Sequence, residues 1–510
     1  MATESWCGAL FVLVVWSAVP AMAKETADQK IERLERELEE LKQEMREMKE
    51  QKRAEAPAKT TAEAPPPAAS EAPSTPRVQI GGYGSVRFEE SSAKGTHPTF
   101  TFRRFVLTAD AAVAPKLRAY LELEFERFHN LELERTAVSE NGGLKVKQAV
   151  GGTDESEISL EQAWLQYDFL EALRFRTGAI LVPLGRFNLN HDDNRWNLPR
   201  RPLVDRGAPV LPVKAAWDEL GAGFNGELPV AESSVLGYQL YVVNGAALRP
   251  EVESTFQTQQ GESSTRLFEA VFSPDTGTFG NDVKGAKAIT GRLAYSPALG
   301  HEIAGSFYRG RYTPEFLPSE SITAFAFDGI SIAGPFELEG EYVHSDFGDV
   351  GRVARAFASR AIEKSTANEQ SPSLALEMEF PLERLAETRH GYWLEARYRF
   401  WPEWLRETVF GRAFEAPELV AVVRGEQVWL DGLLEEVDFT GGQITDLKKS
   451  DRRLDRITVG GAYRPVPLVA FQLAYEFTHV DRGALSDVTN FLDSSDDKAH
   501  AVLLGAAFGF

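Results

Sequence analysis

The fourteen residues Asp497–Phe510 read DKAHAVLLGAAFGF, and a two-residue period runs through them. Val502, Leu504, Ala506, Phe508 and Phe510 fall on one face, while Ala501, Leu503, Gly505, Ala507 and Gly509 fall on the other. That period belongs to an extended strand. One face is apolar and ends on an aromatic ring; the other carries mostly small residues. Such a strand suits the wall of a membrane barrel or the last strand of a soluble sandwich, and these residues alone do not separate the two.

Working outward, the same alternation recurs in sixteen runs: 78–90, 100–112, 117–128, 157–169, 173–182, 216–228, 235–244, 286–296, 301–312, 321–332, 335–346, 388–400, 416–429, 454–464, 467–479 and 497–510. In one of them Leu117, Ala119, Leu121, Leu123 and Phe125 alternate with Arg118, Tyr120, Glu122, Glu124 and Glu126. No stretch after residue 77 shows a helical period of comparable quality. The connections alternate between short turns, such as Ala333-Gly334 and Pro465-Val466, and long segments at 129–156, 183–215, 245–285 and 347–387. An even number of strands with loops sorted by length is the pattern of an antiparallel transmembrane barrel. Rows of acids such as Glu337, Glu339 and Glu341 then face a polar lumen while their neighbours face lipid. The expected fold is all-β: a sixteen-stranded antiparallel barrel over 77–510, with its last strand pairing with Val78–Glu90 to close the wall.

Composition agrees with this reading without deciding it. The 510 residues are 43% hydrophobic with a mean hydropathy of −0.27, as a barrel with a polar lumen would be. The apolar run Gly8–Val19, followed by Ala21-Met22-Ala23, reads as an export leader over 1–23, although its n-region lacks Lys and Arg and holds Glu4. The single cysteine, Cys7, lies in that leader, so the mature chain would form no disulfide. Ile31, Leu34, Leu38, Leu41, Met45 and Met48 recur at steps of three and four, predicting a periplasmic coiled coil over 24–53 that associates with other copies. Residues 54–76, with Pro65-Pro66-Pro67, read as an extended linker. The net charge of −21 disfavours nucleic acid as a partner. The eight histidines are scattered, without metal-ligand spacing or a recognisable hydrolase motif, so neither metal, cofactor nor enzymatic activity is expected.

If the linker is periplasmic, the third outward-facing connection is Pro183–Ala215. Prolines at 183, 199, 202, 209 and 212 stiffen it. Arg186, Arg195, Arg200, Arg201, Arg206 and Lys214 against Asp192, Asp193 and Asp205 give it a charge of +3 (six cations less three anions). A stiff cationic loop is a candidate for folding inward to constrict the lumen and favour anions; the alternative is a surface loop facing water or lipopolysaccharide phosphates. Strand parity points Arg87, Arg104, Arg118, Arg174, Arg176, Arg397, Arg399, Arg424 and Arg456 inward. There they either meet solutes or pair with Glu122, Glu124, Glu395 and Glu426.

Several of these segments resemble the phosphate-selective porin O and P family, including its relatives with a coiled-coil extension. They are Phe102-Arg103-Arg104-Phe105-Val106-Leu107, Gly178–Gly185 with Pro183, Tyr241-Val242-Val243-Asn244-Gly245, Phe336–Tyr342 (FELEGEY) and Phe510. The resemblance implies a trimeric sixteen-stranded porin of the bacterial outer membrane, whose third loop enters the pore and which passes small anions by diffusion. It also implies that Phe510 is the terminal aromatic read by the outer-membrane assembly machinery. The chain departs from the family's lysine-rich entrance: Lys94, Lys116, Lys145, Lys147, Lys214, Lys284 and Lys287 are scattered. Phosphate, dicarboxylates, other organic anions and small solutes generally therefore all stay open. So do a general or sugar-type porin and an envelope-spacing barrel tethered through its coiled coil.

Overall fold

The computed structural model describes residues 77–510, apart from 128–130, 141–142, 153–156, 206–209, 258–264, 276, 278, 281, 283, 368–374, 380–384, 441–442 and 486–493. The leader, coiled coil and linker expected before residue 77 lie outside the described residues.

The chain forms a closed barrel of sixteen strands, each hydrogen-bonded to its neighbours in antiparallel fashion. In chain order they are β1 (Arg77–Ser91), β2 (Thr99–Ala114), β3 (Leu117–Glu126), β6 (Glu157–Leu170), β7 (Leu173–Leu181), β8 (Asp218–Ala231), β9 (Ser234–Val243), β12 (Ala288–Ala298), β13 (His301–Arg311), β14 (Ser321–Ala333), β15 (Phe336–Phe347), β17 (Thr388–Phe400), β18 (Glu418–Thr440), β19 (Gln443–Arg464), β20 (Val469–Val480) and β21 (Lys498–Gly509). Each of the sixteen expected runs overlaps one barrel strand. The intervening numbers belong to the long connections: β4 (Leu131–Glu140) and β5 (Gly143–Gly152) form a hairpin, and β10 (Ala247–Gln257), β11 (Thr265–Asp275) and β16 (Ala375–Glu379) form a small sheet.

The C-terminal strand closes the barrel. β21 pairs with β1 from Tyr83↔Gly509 to Ser91↔Ala501. Beyond the last barrel pair, Gly82 and Phe510 exchange backbone hydrogen bonds at 3.0 and 3.2 Å. Glycine at 82 is required by that approach: a Cβ there would lie 2.1 Å from the Val106 carbonyl oxygen and 2.9 Å from the Phe510 ring.

Alternation sorts the two faces. Ala501, Leu503 and Ala507 are buried inside, whereas Val502, Leu504 and Phe508 are 43–47% exposed outside. Phe100, Ile303, Phe327, Leu293 and Leu473 continue the apolar exterior around the wall. Contiguous exposed apolar area on this scale is unfavourable in water and matched to a bilayer. Aromatic pairs mark one rim, with Phe336–Tyr398 at 4.9 Å, Trp401–Tyr463 at 6.1 Å and Phe105–Phe510 at 6.0 Å. This is the girdle position of membrane barrels.

Besides the hairpin and the small sheet in the long connections, two further features differ from the sequence expectation. The connection 348–387 holds a helix, Val350–Ala367, whose Val350, Val353, Ala354, Phe357 and Ala358 are buried at helical spacing. Its stripe is made largely of alanine and valine, so its periodic contrast is weak. β18 and β19 also run to Thr440 and back from Gln443, well past the expected 416–429 and 454–464, because cross-strand pairing continues after the apolar alternation stops.

Candidate functional site

The third connection, 182–217, folds into the barrel. Its feet are tied together: Val182 N–H donates to the Trp217 carbonyl at 2.9 Å, and Asn188, fully buried, accepts from Trp217 N–H at 2.7 Å and donates to the Val182 carbonyl at 2.8 Å. Gly185, at φ 74°, turns the chain into a single helical turn, Arg186–Leu189. The Glu341 carboxylate of β15 accepts the Arg186 and Phe187 N–H groups, both at 2.7 Å. A carboxyl oxygen that accepts the unsatisfied N–H groups of a helix's first turn caps it.

From there the loop is held by wall strands on several sides. Ser306 of β13 accepts from Gly185 N–H at 2.9 Å, and Ser345 of β15 donates to the Val210 carbonyl at 2.7 Å. On β18 and β19, Arg424 donates to the Arg200 carbonyl at 2.7 Å, Arg456 to the Arg201 carbonyl at 2.6 Å and Arg464 to the Trp196 carbonyl at 2.9 Å. Glu426 accepts from Leu203 N–H at 2.8 Å, and Gln472 of β20 donates to the Trp196 carbonyl at 2.8 Å. Irregular backbone at membrane depth must find its hydrogen bonds inside the protein, and the inward-facing wall supplies them.

The loop's apolar residues complete the filling. Leu184, Phe187, Leu203, Val204, Val210 and Leu211 are fully buried, in one cluster with Trp164, Trp393 and Val428 of the wall. The loop is thus an apolar core wrapped in polar tethers rather than a thin cationic ledge.

Its charges are correspondingly engaged. Arg186 pairs with Glu302 at 2.9 Å and with Glu339. Arg200 pairs with Glu476 at 2.6 Å and with Glu89. Arg201 meets Asp193 at 3.4 Å and Asp205 at 3.6 Å. Asp193 also accepts from Ser85 at 2.6 Å and faces Arg104 at 3.4 Å. Burial would raise the Asp193 carboxyl, but Arg104 and Arg201 outweigh it and hold the group well below the usual carboxylate range. Asp192 pairs with exposed Arg195 at 2.9 Å, and Lys214 is exposed. Arg206 lies outside the described residues. The guanidinium groups expected to face a passing anion are thus engaged: those of Arg186 and Arg200 by wall carboxylates, that of Arg201 by Asp193 and Asp205 of the loop itself.

Most wall arginines are paired too. Arg104 meets Glu124 at 3.0 Å and Glu126 at 2.5 Å; Arg397 meets Glu339 at 2.6 Å together with Glu337 and Glu395; Arg399 meets Glu337 at 2.8 Å. Arg424 lies 3.3 Å from Glu426, and Arg118 pairs with Asp110. Arg176 differs. Its hydrogen-bond acceptor is neutral Gln166, at 2.8 and 3.0 Å, and its guanidinium stands over the Trp164 ring at 4.1 Å. Arg118 approaches the same ring at 5.6 Å.

Below the loop, beside the short turn 465–468, lies a cavity of about 530 Å³. Arg195, Arg397, Arg399 and Arg464 line it with Glu122, Asp192, Glu337 and Glu418, a balanced set of charges. At its edge Glu122, Glu161 and His191 come together, with donor atoms within 4.8 Å of one another. Burial pushes the His191 imidazole down, but Glu161 outweighs this and holds its pKa up at about 9. Reading spacings could not find this group, because its members are brought together only by the inward fold of the loop.

No family model matches the chain. An uncharacterized protein of Aquifex aeolicus (strain VF5) is 25% identical over 168 residues, 33% of this chain and 32% of that protein, so the match spans about a third of the relative's length. Among solved structures, the barrel is similar to an anion-selective porin from Comamonas acidovorans, with 11% identity over 85% of this chain and all of that one, at a TM-score of 0.44. It is likewise similar to Salmonella typhi OmpF, with 10% identity over 85% and 97% of the chains, at a TM-score of 0.44. The outer membrane channel DcaP of Acinetobacter baumannii gives 9% identity over 85% and 97%, at a TM-score of 0.43.

Proposed function

We propose that the chain is a bacterial outer-membrane porin, a passive diffusion channel for small solutes with a preference for anions. The barrel's apolar exterior, polar interior and inward-folded third connection support the channel reading. The anionic preference rests on one observation: Arg176 presents a guanidinium whose hydrogen-bond partner is uncharged, so its charge remains for a solute. Phosphate and small organic acids both fit that chemistry. The homotrimer, lipopolysaccharide contact and delivery by the assembly machinery through Phe510 follow from the family resemblance and belong to the same proposal.

The filled waist favours a second reading, an envelope-spacing barrel that conducts little, tethered through residues outside the described part. Conductance of the purified chain in a planar bilayer separates the two. Anion-selective openings support the porin, whereas a membrane that stays silent with the third connection intact refutes it.

A further inference from the structure

Two carboxylates and an imidazole with no common spacing in the chain meet where β3, β6 and the third connection touch. Glu122, Glu161 and His191 are 3%, 5% and 1% exposed. His191 Nδ1 lies 2.9 Å from the Asn188 carbonyl, which can only accept, so this nitrogen carries the proton. Nε2 is thereby turned toward Glu161, with 3.4 Å between nitrogen and oxygen. A cation standing where the Nε2 proton now pairs with Glu161 would meet both the nitrogen and this carboxylate. An imidazole oriented by a backbone carbonyl on its other nitrogen is also the arrangement of metal-ligating histidines. The second carboxylate is oriented as well: Glu122 accepts from Gln162 at 2.6 Å and lies 3.3 Å from the Tyr120 hydroxyl.

An independent observation points to the same spot. Tyr83, on β1, is 3% exposed, and its hydroxyl has no hydrogen-bond partner among the described residues. It lines the cavity below the loop together with Glu122. A buried hydroxyl left without a partner in the cavity that Glu122 also lines is available to a ligand or its bound water.

We propose that Glu122, Glu161 and His191 bind one divalent transition-metal cation, of the Zn²⁺ or Mn²⁺ kind, that enters from the cavity at the short-turn end. One imidazole nitrogen and two carboxylate oxygens form a donor set for such ions, leaving a further coordination position for water or another ligand. Magnesium, which prefers oxygen donors and retains its waters, fits less well. The ion would displace the proton from Nε2 and join the loop to β3 and β6. None of this depends on the chain being a channel.

The test is calorimetric titration of the chelator-stripped full chain in detergent with Zn²⁺ and, separately, Mn²⁺. One ion per chain is expected, with affinity lowered at least about tenfold by Glu161→Gln and by His191→Gln. No saturable binding of either metal at millimolar concentration overturns the proposal, as does unaltered binding in both variants. Heat-shifted gel migration checks that each variant still forms a barrel. X-ray absorption on the Zn²⁺-loaded wild type gives a second readout that needs no variant. A first shell containing one imidazole nitrogen at about 2.0–2.1 Å supports the site, and a shell of oxygens alone refutes it.

Discussion

Arg200 donates a 2.6 Å hydrogen bond to Glu476. The arginine belongs to the third connection and the glutamate to β20; they are 6% and 1% exposed, and the same guanidinium also reaches Glu89 of β1. Removing one member of a buried ion pair strands its partner as an uncompensated charge, at a cost of about 3–5 kcal/mol. Arg200→Ala is therefore expected to loosen the loop from the β20 and β1 side. Single-channel conductance should rise, and the barrel should lose its folded gel migration at a lower temperature. If neither changes, the apolar cluster around Leu203 and Val210 holds the loop without this tether.

Arg176 offers the opposite case, a lumen-side guanidinium hydrogen-bonded to a neutral group. Substituting it should alter selectivity with little effect on the fold. Arg176→Gln is expected to move the reversal potential in a salt gradient toward cations, while Arg176→Lys keeps the charge and most of the anion preference but loses the guanidinium that stands over the Trp164 ring. Equal reversal potentials for the wild type and the Gln variant would place selectivity elsewhere.

The barrel was legible because its signal repeats every two residues and lipid enforces it on every strand. Val502, Leu504 and Phe508 face out and Ala501, Leu503 and Ala507 face in because a one-residue slip would put the wrong set in hydrocarbon. The site was less legible for two reasons. In the third connection the eye goes to Arg200 and Arg201, yet Leu184, Phe187, Leu203 and Leu211 decide how the loop sits, and irregular backbone leaves them without a period. The meeting of Glu161 with His191 depends on that tertiary fold alone. The helix Val350–Ala367 gives little sequence signal because its buried stripe of small residues contrasts weakly with its flanks.

Gly185 is a point where the loop's course can be tested. Its φ of 74° lies in the left-handed region, and a Cβ would come 2.6 Å from a Glu341 carboxylate oxygen. Both effects act on the turn that delivers the Arg186 and Phe187 N–H groups to that carboxylate. With ψ at 168° this backbone is one that essentially only glycine adopts, and the backbone term alone costs about 1–3 kcal/mol. Gly185→Ala should destabilise the inward fold of the loop, read as faster trypsin cleavage at Arg186 in an otherwise folded barrel. A cleavage rate equal to wild type would show that the glycine is dispensable.

Lys284 anchors the fourth connection, 244–287, by a different device. Its ammonium donates to the Asn244, Gly245 and Ala246 carbonyls at 2.9, 2.5 and 2.8 Å, and the residue is 2% exposed. The same turn is held from the barrel side, where Glu219 accepts from Gly245 N–H and the Tyr308 hydroxyl accepts from Ala246 N–H, both at 2.9 Å. Lys284→Met keeps the aliphatic stem but removes all three donors, and each buried carbonyl left without one costs about 1–3 kcal/mol. Glu219 and Tyr308 still hold the chain at its exit from β9, so the barrel itself should melt as before. The loosening should stay within the connection and appear as new proteolytic cuts between 244 and 287, mapped by mass spectrometry. Cuts appearing instead across the barrel strands would mean that this lysine supports the wall and not the loop.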